Sequence, residues 1–318
     1  MTIPALTFLF LVLAAVPPSM DLNEGIKLYR KGEFKQSVSL FRQRTAAAPS
    51  DPEARLWLGK AYLKARDWDQ AVREMEKAVE LSPSTARYHL WLGRACGAKA
   101  SHVFFVKAFG WARRVAKEFE TARRLDPKDL DVRFDLLEFY LEAPASVGGG
   151  KDKAEAEARE IAKLDPSKGY TARASLLRKD EKWDLAKKEL VQATVDYPNA
   201  DSFKDLAEYL FDQKDYKGAL DNAKKALALR AESKRTRLLA AASSIRLRSD
   251  LESAARTLQE LAEGSLDDED PSFEEVYYWL GECHLEKGEK DKARKAYLSA
   301  LVFDPDHDKA KKGVTKTK

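Results

Sequence analysis

The stretch PEARLWLGKAYLKARDWDQAVREMEKAVELSPST, residues 52 to 85, constrains the fold most, because its pattern returns with drift along almost the whole chain. Leu58, Gly59 and Tyr62 recur at helical spacing, as do Ala71, Met75 and Ala78 further on, so the unit reads as two helices with one apolar stripe each. Gly59 and Ala71 let the two backbones approach; a large side chain at either place would overpack the hairpin at a cost of roughly 1–3 kcal/mol. Trp68 fills space beside the turn, and Pro83 follows the second helix where the chain must stop and reverse. A chain made by repeating a hairpin grows in one direction, so 318 residues do not imply two globular domains.

Pattern, length and order resemble the tetratricopeptide repeat, a hairpin of about 34 residues whose helix A carries aromatic, Leu, Gly and Tyr against Ala, aromatic, Ala and Pro on helix B. The copy at 274 to 307 fits equally well through Leu280, Gly281, Gly288, Ala293, Tyr297, Ala300 and Pro305. The first copy keeps Gly25, Leu28, Gly32, Phe34, Phe41 and Pro49; the fifth keeps Trp183 and Ala186, the sixth Leu206, Ala207 and Tyr216. The seventh, near 234 to 271, is the least regular, and an acidic loop, LDDEDP, closes it. The resemblance implies an all-α fold: a right-handed α-solenoid of about eight hairpins over residues 20–307. A basic tail, 308–318, can supply only a short polar helix that suits the end of such a stack.

Two copies depart from the pattern. The third carries about ten extra residues around AKASHVFFVKAFGWA, in which Phe104, Phe105, Ala108, Phe109 and Trp111 fall at helical spacing. An extended hairpin with aromatic packing between its lengthened helices is the simplest account, and an apolar docking tip of Phe104, Phe105 and Phe109 is the functional alternative. In the fourth copy Leu137 stands where Gly is usual, and the turn is enlarged to PASVGGGKDK. Gly148, Gly149, Gly150 and Lys151 at a helix start invite comparison with a phosphate loop. No strand precedes them, however, the G-x-x-x-x-G-K-[ST] spacing is missing, and Asp152 follows the lysine, so an inter-helix loop is the stronger reading.

In tetratricopeptide proteins the A helices line a concave groove. The resemblance therefore places Leu56, Lys60, Leu63, Lys64, Leu90, Arg94, Phe134, Glu138, Glu142, Lys204, Glu208, Phe211, Asp212, Tyr278, Glu282 and Glu286 on that surface. Signs alternate along it, which disfavours a uniformly charged ligand such as nucleic acid and favours a peptide or protein of mixed character. The basic cluster of a carboxylate clamp is missing. Trp57, Trp91 and Trp279 each precede a Leu-Gly pair, about 70° from the groove centre at 100° per residue, so half-exposure is expected. Packing between successive A helices and an aromatic wall for peptide or glycan are the two readings of that position.

A net charge of +4, with acidic and basic residues interspersed, lacks the clustered footprint of a nucleic-acid binder. Cys96 and Cys283 fall several repeats apart, too far for a disulfide in an extended stack. The histidines are scattered, with no pair at metal-ligand spacing, and no nucleophile motif appears; no cofactor, metal or catalytic role is expected. Residues 3 to 16, IPALTFLFLVLAAV, read as the apolar core of a secretory signal ending near residue 19, too short for a stable membrane span. The expectation is an interaction scaffold, exported and linked to the cell envelope if that segment is a signal peptide and otherwise cytoplasmic, with homo-oligomerisation open. The alternative is a small-molecule or glycan-binding solenoid using the GGG loop and aromatic groove.

Overall fold

The computed structural model describes residues 21–318, so the expected secretory signal lies outside the described residues. Everything described is helix, turn or loop, with no strand. The first hairpin pairs α1 (Leu22–Arg30) with α2 (Phe34–Ala47), and the second α3 (Pro52–Lys64) with α4 (Trp68–Leu81). Next come α5 (Ala86–Ala100) with α6 (Phe105–Leu125), and α7 (Leu130–Glu142) with α8 (Lys151–Leu164). The fifth and sixth are α9 (Pro166–Lys179) with α10 (Trp183–Asp196), and α11 (Ala200–Asp212) with α12 (Tyr216–Leu229). The last two are α13 (Lys234–Arg246) with α14 (Leu251–Glu263), and α15 (Phe273–Glu286) with α16 (Lys290–Phe303); α17 (Asp308–Lys316) closes the stack.

Local chemistry explains the punctuation. Asp51, Asp129, Asp165, Asn199 and Ser233 cap odd-numbered helices through their side chains, and Pro52 and Pro166 start helices where a missing amide costs nothing. Most hairpins turn through one left-handed residue, after which an amide reaches back to close the end of the first helix, as Asp67 does to the Tyr62 carbonyl at 2.9 Å. Gly32 and Gly288 take that position in the two outermost hairpins, but Arg66, Glu181 and Lys214 take it elsewhere, at a cost of about 1 kcal/mol each.

The hairpins hold together by small-against-large packing. A Cβ on Gly93 would lie 2.4 Å from the Phe119 ring, and one on Gly281 would lie 2.6 Å from that of Tyr297. Each of these hairpins therefore closes on an aromatic ring that only a hydrogen at the facing position admits. A polar pair with a glutamate recurs beside this contact. Arg55 meets Glu74 at 2.7 Å, His89 meets Glu118 at 2.7 Å, and Arg133 meets Glu157 at 2.7 Å, each joining the two helices of one hairpin and each largely buried.

Neighbouring odd-numbered helices touch one another (α1 and α3, α3 and α5, α7 and α9, α9 and α11, α11 and α13, α13 and α15), while the even-numbered ones stand further apart. The stack therefore curves with the odd helices inside. After eight hairpins the two ends meet. Phe34 of α2 packs edge-on against Phe273 and Phe303, and the Arg66 guanidinium bridges Asp304 and Asp306 at 2.6 and 2.7 Å. Gly313 of α17 lies under Tyr297, and Ala310 is fully buried, so the terminal helix covers the last hairpin.

Candidate functional site

The inner surface formed by the odd helices contains two adjoining cavities. One, about 720 Å³, lies between α7 and α9 against Phe134, Glu138, Leu141, Ser175 and Lys179. The other, about 410 Å³, lies between α11, α13 and α15 against Phe211, Asp212, Arg235, Leu238 and Trp279. Arg178 of α9, which meets Asp212 at 3.1 Å, borders both, so the two cavities lie side by side along one trough. Phe134 and Phe211 are partly exposed there among charged groups of both signs. Burial pushes the Glu138 carboxyl above its ordinary range, and the nearby charges of Asp135 and Glu142 add to this. Burial likewise raises Glu208, against the pull of Lys204. Asp135, which meets Arg94 at 2.7 Å, is also raised, burial outweighing its partner.

Several residues expected in the groove are placed otherwise. Tyr278 borders the second cavity, though most of it is covered by Trp279, Tyr297 and His307, whereas Leu56 and Leu90 are buried between helices, at 0% and 4% exposure. Neighbouring inner helices approach so closely that these positions become interface rather than surface. The same crowding corrects the tryptophans. Trp57 and Trp279 are 8% and 7% exposed, not half-exposed, and Trp91 is intermediate. Trp57 packs edge-on against Tyr29 of α1, and its indole donates to Glu53 at 2.8 Å. Cations lie over all three rings: Lys60 on Trp57, Arg94 on Trp91 and Arg246 on Trp279. Those faces are taken within the chain, which argues against an aromatic wall. Lys64, Arg94 and Glu282 remain partly accessible; Glu282 accepts from Arg246 at 2.8 Å and from the Tyr297 hydroxyl at 2.7 Å.

The glycine-rich turn offers no anion cradle. The amides of Gly148, Gly149 and Gly150 donate to the carbonyls of Ala145, Pro144 and Tyr140, leaving none of the three for a ligand. Lys151 is held by Asp180 at 2.7 Å. The turn instead demands glycine for space, since a Cβ on Gly149 would fall 1.8 Å from the Ala143 carbonyl oxygen.

The third hairpin corrects the expected aromatic packing. Only Trp111 packs back onto the core; Phe104, Phe105 and Phe109 are 73%, 64% and 46% exposed, and the first two lean on each other with centroids 4.9 Å apart. The reason is geometric. Helix α6 has 21 residues against 15 in α5, roughly 9 Å more helix, so its first turns overhang the partner. Phe104 is also the N-cap of α6 and makes no side-chain cap bond. The double variant Phe104→Ser, Phe105→Ser is expected to unfold at an unchanged or slightly higher temperature, since a serine cap contributes about 1 kcal/mol. A thermal melt showing a loss of that size would mean that the rings pack.

Among the described residues no group of His, Cys, Asp and Glu is placed to hold a metal ion. Cys96 and Cys283 are free and buried, with thiols pushed up by burial to about 12 and about 11. The residues that sequence reasoning missed are Asp135, Arg178 and Arg235, which line the trough, and Asp268, which reaches Lys60 from across the stack.

Tetratricopeptide repeat profiles match residues 28–94, 171–234 and 274–307, together just over half of the chain. The chain belongs to the tetratricopeptide repeat family. The unmatched stretch from 95 to 170 holds the overhanging third hairpin and the glycine-rich fourth turn. Yeast Tom70 has a similar fold, at TM-score 0.60 and 16% identity over 99% of this chain; the chain spans 66% of that protein. Also similar in part are a thermophilic TPR protein of Thermus thermophilus, TTC0263 (TM-score 0.42, 19% identity, 70% of this chain and 96% of that one), and YrrB, described as a TPR protein with an unusual peptide-binding site (0.41, 20%, 62% and 97%). No curated protein sequence matches the chain significantly.

Proposed function

We propose that this chain is an interaction scaffold that holds a peptide or protein partner along the trough between α7 and α15. The carrying observation is the trough itself: two adjoining cavities sharing Arg178, with Phe134 and Phe211 partly exposed among charges of both signs. An extended peptide fits such a surface because apolar side chains seat on the two rings while the flanking acids and arginines select its polar positions. Membership of a family of interaction repeats supports this reading, and the apolar run at residues 3–16 supports an exported, cell-envelope setting. The test is site-specific photo-crosslinking in the native host. A crosslinker at Phe134 or Phe211 is expected to capture a partner, and one at Val195, 66% exposed on the outer helix α10, is not. Adducts from Val195 alone would overturn the proposal.

A further inference from the structure

Where the ends of the stack meet, one cation sits in an aromatic enclosure. The Lys60 side chain is 4% exposed, with its ammonium 3.8 Å from the Trp57 ring, 4.4 Å from Trp91 and 5.5 Å from Tyr29. These residues come from the inner helices of the first three hairpins. The carboxylate that neutralises the ammonium comes from far along the chain: Asp268, at 2.5 Å, which also accepts from the Tyr29 hydroxyl at 2.5 Å. Asp268 lies in the acidic loop between α14 and α15.

That loop is bound as a peptide would be. The amide of Leu266 donates to the Arg30 carbonyl at 2.7 Å, the Leu266 side chain is buried, and Arg30 pairs with Asp267 at 2.5 Å. A loop that turns at Asp268 and Glu269 thus supplies one main-chain bond, one buried apolar anchor and two carboxylates to a receptor made by other hairpins. The receptor is selective. The only carboxylate in contact with this buried ammonium is the one the loop brings to it, and leaving it unpaired is costly. The Asp268 side chain is 24% exposed, so solvent reaches the pair and a competitor has a path to it.

We propose that the loop Leu266–Asp270 is an intramolecular ligand for a carboxylate-binding site formed by Tyr29, Trp57, Lys60 and Trp91, and that an acidic peptide segment occupies the same site when the loop withdraws. This deepens the scaffold reading, on which it rests, by giving one end of the partner an acidic stretch and by making the joined ends of the stack a gate. The tethered loop competes at an effective concentration of order millimolar, so the intact chain resists a free acidic peptide.

The test uses the full chain and a fluorescein-labelled peptide of the loop's own sequence, SLDDEDPS, followed by anisotropy. A variant with residues 266–270 replaced by Gly-Ser-Gly-Ser-Gly is expected to bind the peptide at least tenfold more tightly than the natural chain. Adding Lys60→Met should abolish that gain. Should the replaced chain lose helicity by circular dichroism, Asp267→Asn with Asp268→Asn in the intact loop serves the same comparison, with at least a threefold gain expected. No gain over the natural chain, or a gain that survives Lys60→Met, overturns the proposal. Partner capture at Phe134 or Phe211 is read independently, so the trough reading stands or falls apart from this one.

Discussion

Replacing Glu157 with Ala is expected to destabilise the chain by about 3–5 kcal/mol, because it strands a buried arginine. Glu157 is 2% exposed and accepts from two guanidinium groups, Arg123 of α6 at 2.5 Å and Arg133 of α7 at 2.7 Å. Arg133 keeps one further bond, to the Pro127 carbonyl at 2.8 Å, which satisfies a donor but not the charge. Removing the acid therefore costs more than the pair itself contributes. The variant Glu157→Leu with Arg133→Met, apolar on both sides, is expected to recover most of the loss, since a packed apolar pair often matches a buried ion pair. Urea unfolding of the three chains decides the point. If the single and double variants are equally unstable, shape rather than stranded charge sets the cost.

Glu157 also separates what the sequence disclosed from what it hid. Aligned on the Leu-Gly pair or its equivalent, Arg55, His89 and Arg133 occupy one position, and Glu74, Glu118 and Glu157 precede the large or small residue that faces it. The recurrence was there to be found; single charged residues on amphipathic helices simply look like solvated surface until the partner helix is placed. The hairpins themselves were legible because Gly93 with Phe119, or Gly281 with Tyr297, encode a contact within one repeat. Hairpin turns through Arg66, Glu181 and Lys214 carried no signal, since these residue types show no preference for left-handed backbone. For the site, the assignment of positions to the inner surface located Phe134, Glu138 and Phe211 in the trough. It misjudged Leu56, Lys60 and Leu90 because curvature presses neighbouring inner helices together and buries their flanks. The meeting of Lys60 with Asp268 depends on rotation accumulated over the whole stack, which no local pattern specifies.

Tyr297→Ala tests whether that meeting of ends carries energy. Tyr297 is fully buried between Gly281 and Gly313, and its hydroxyl donates to Glu282, so it ties α15, α16 and α17 together. Losing the ring is expected to cost about 3–5 kcal/mol, as for other large aromatic truncations in a core, while Tyr297→Phe loses only a bond to a carboxylate, about 1.5–3 kcal/mol. In an open stack of repeats such damage stays local, because each hairpin feels only its neighbours. Here α16 also presents Phe303 to Phe34, and Asp304 and Asp306 beyond it hold Arg66, so loosening the last hairpin removes contacts from the first two. Hydrogen exchange is therefore expected to accelerate in Tyr297→Ala not only in α15–α17 but also in α1 and α2, with the central α9–α12 unchanged. Unaltered protection in α1 and α2 would mean that the ends touch without coupling and that a ligand at Lys60 has no closed stack to open.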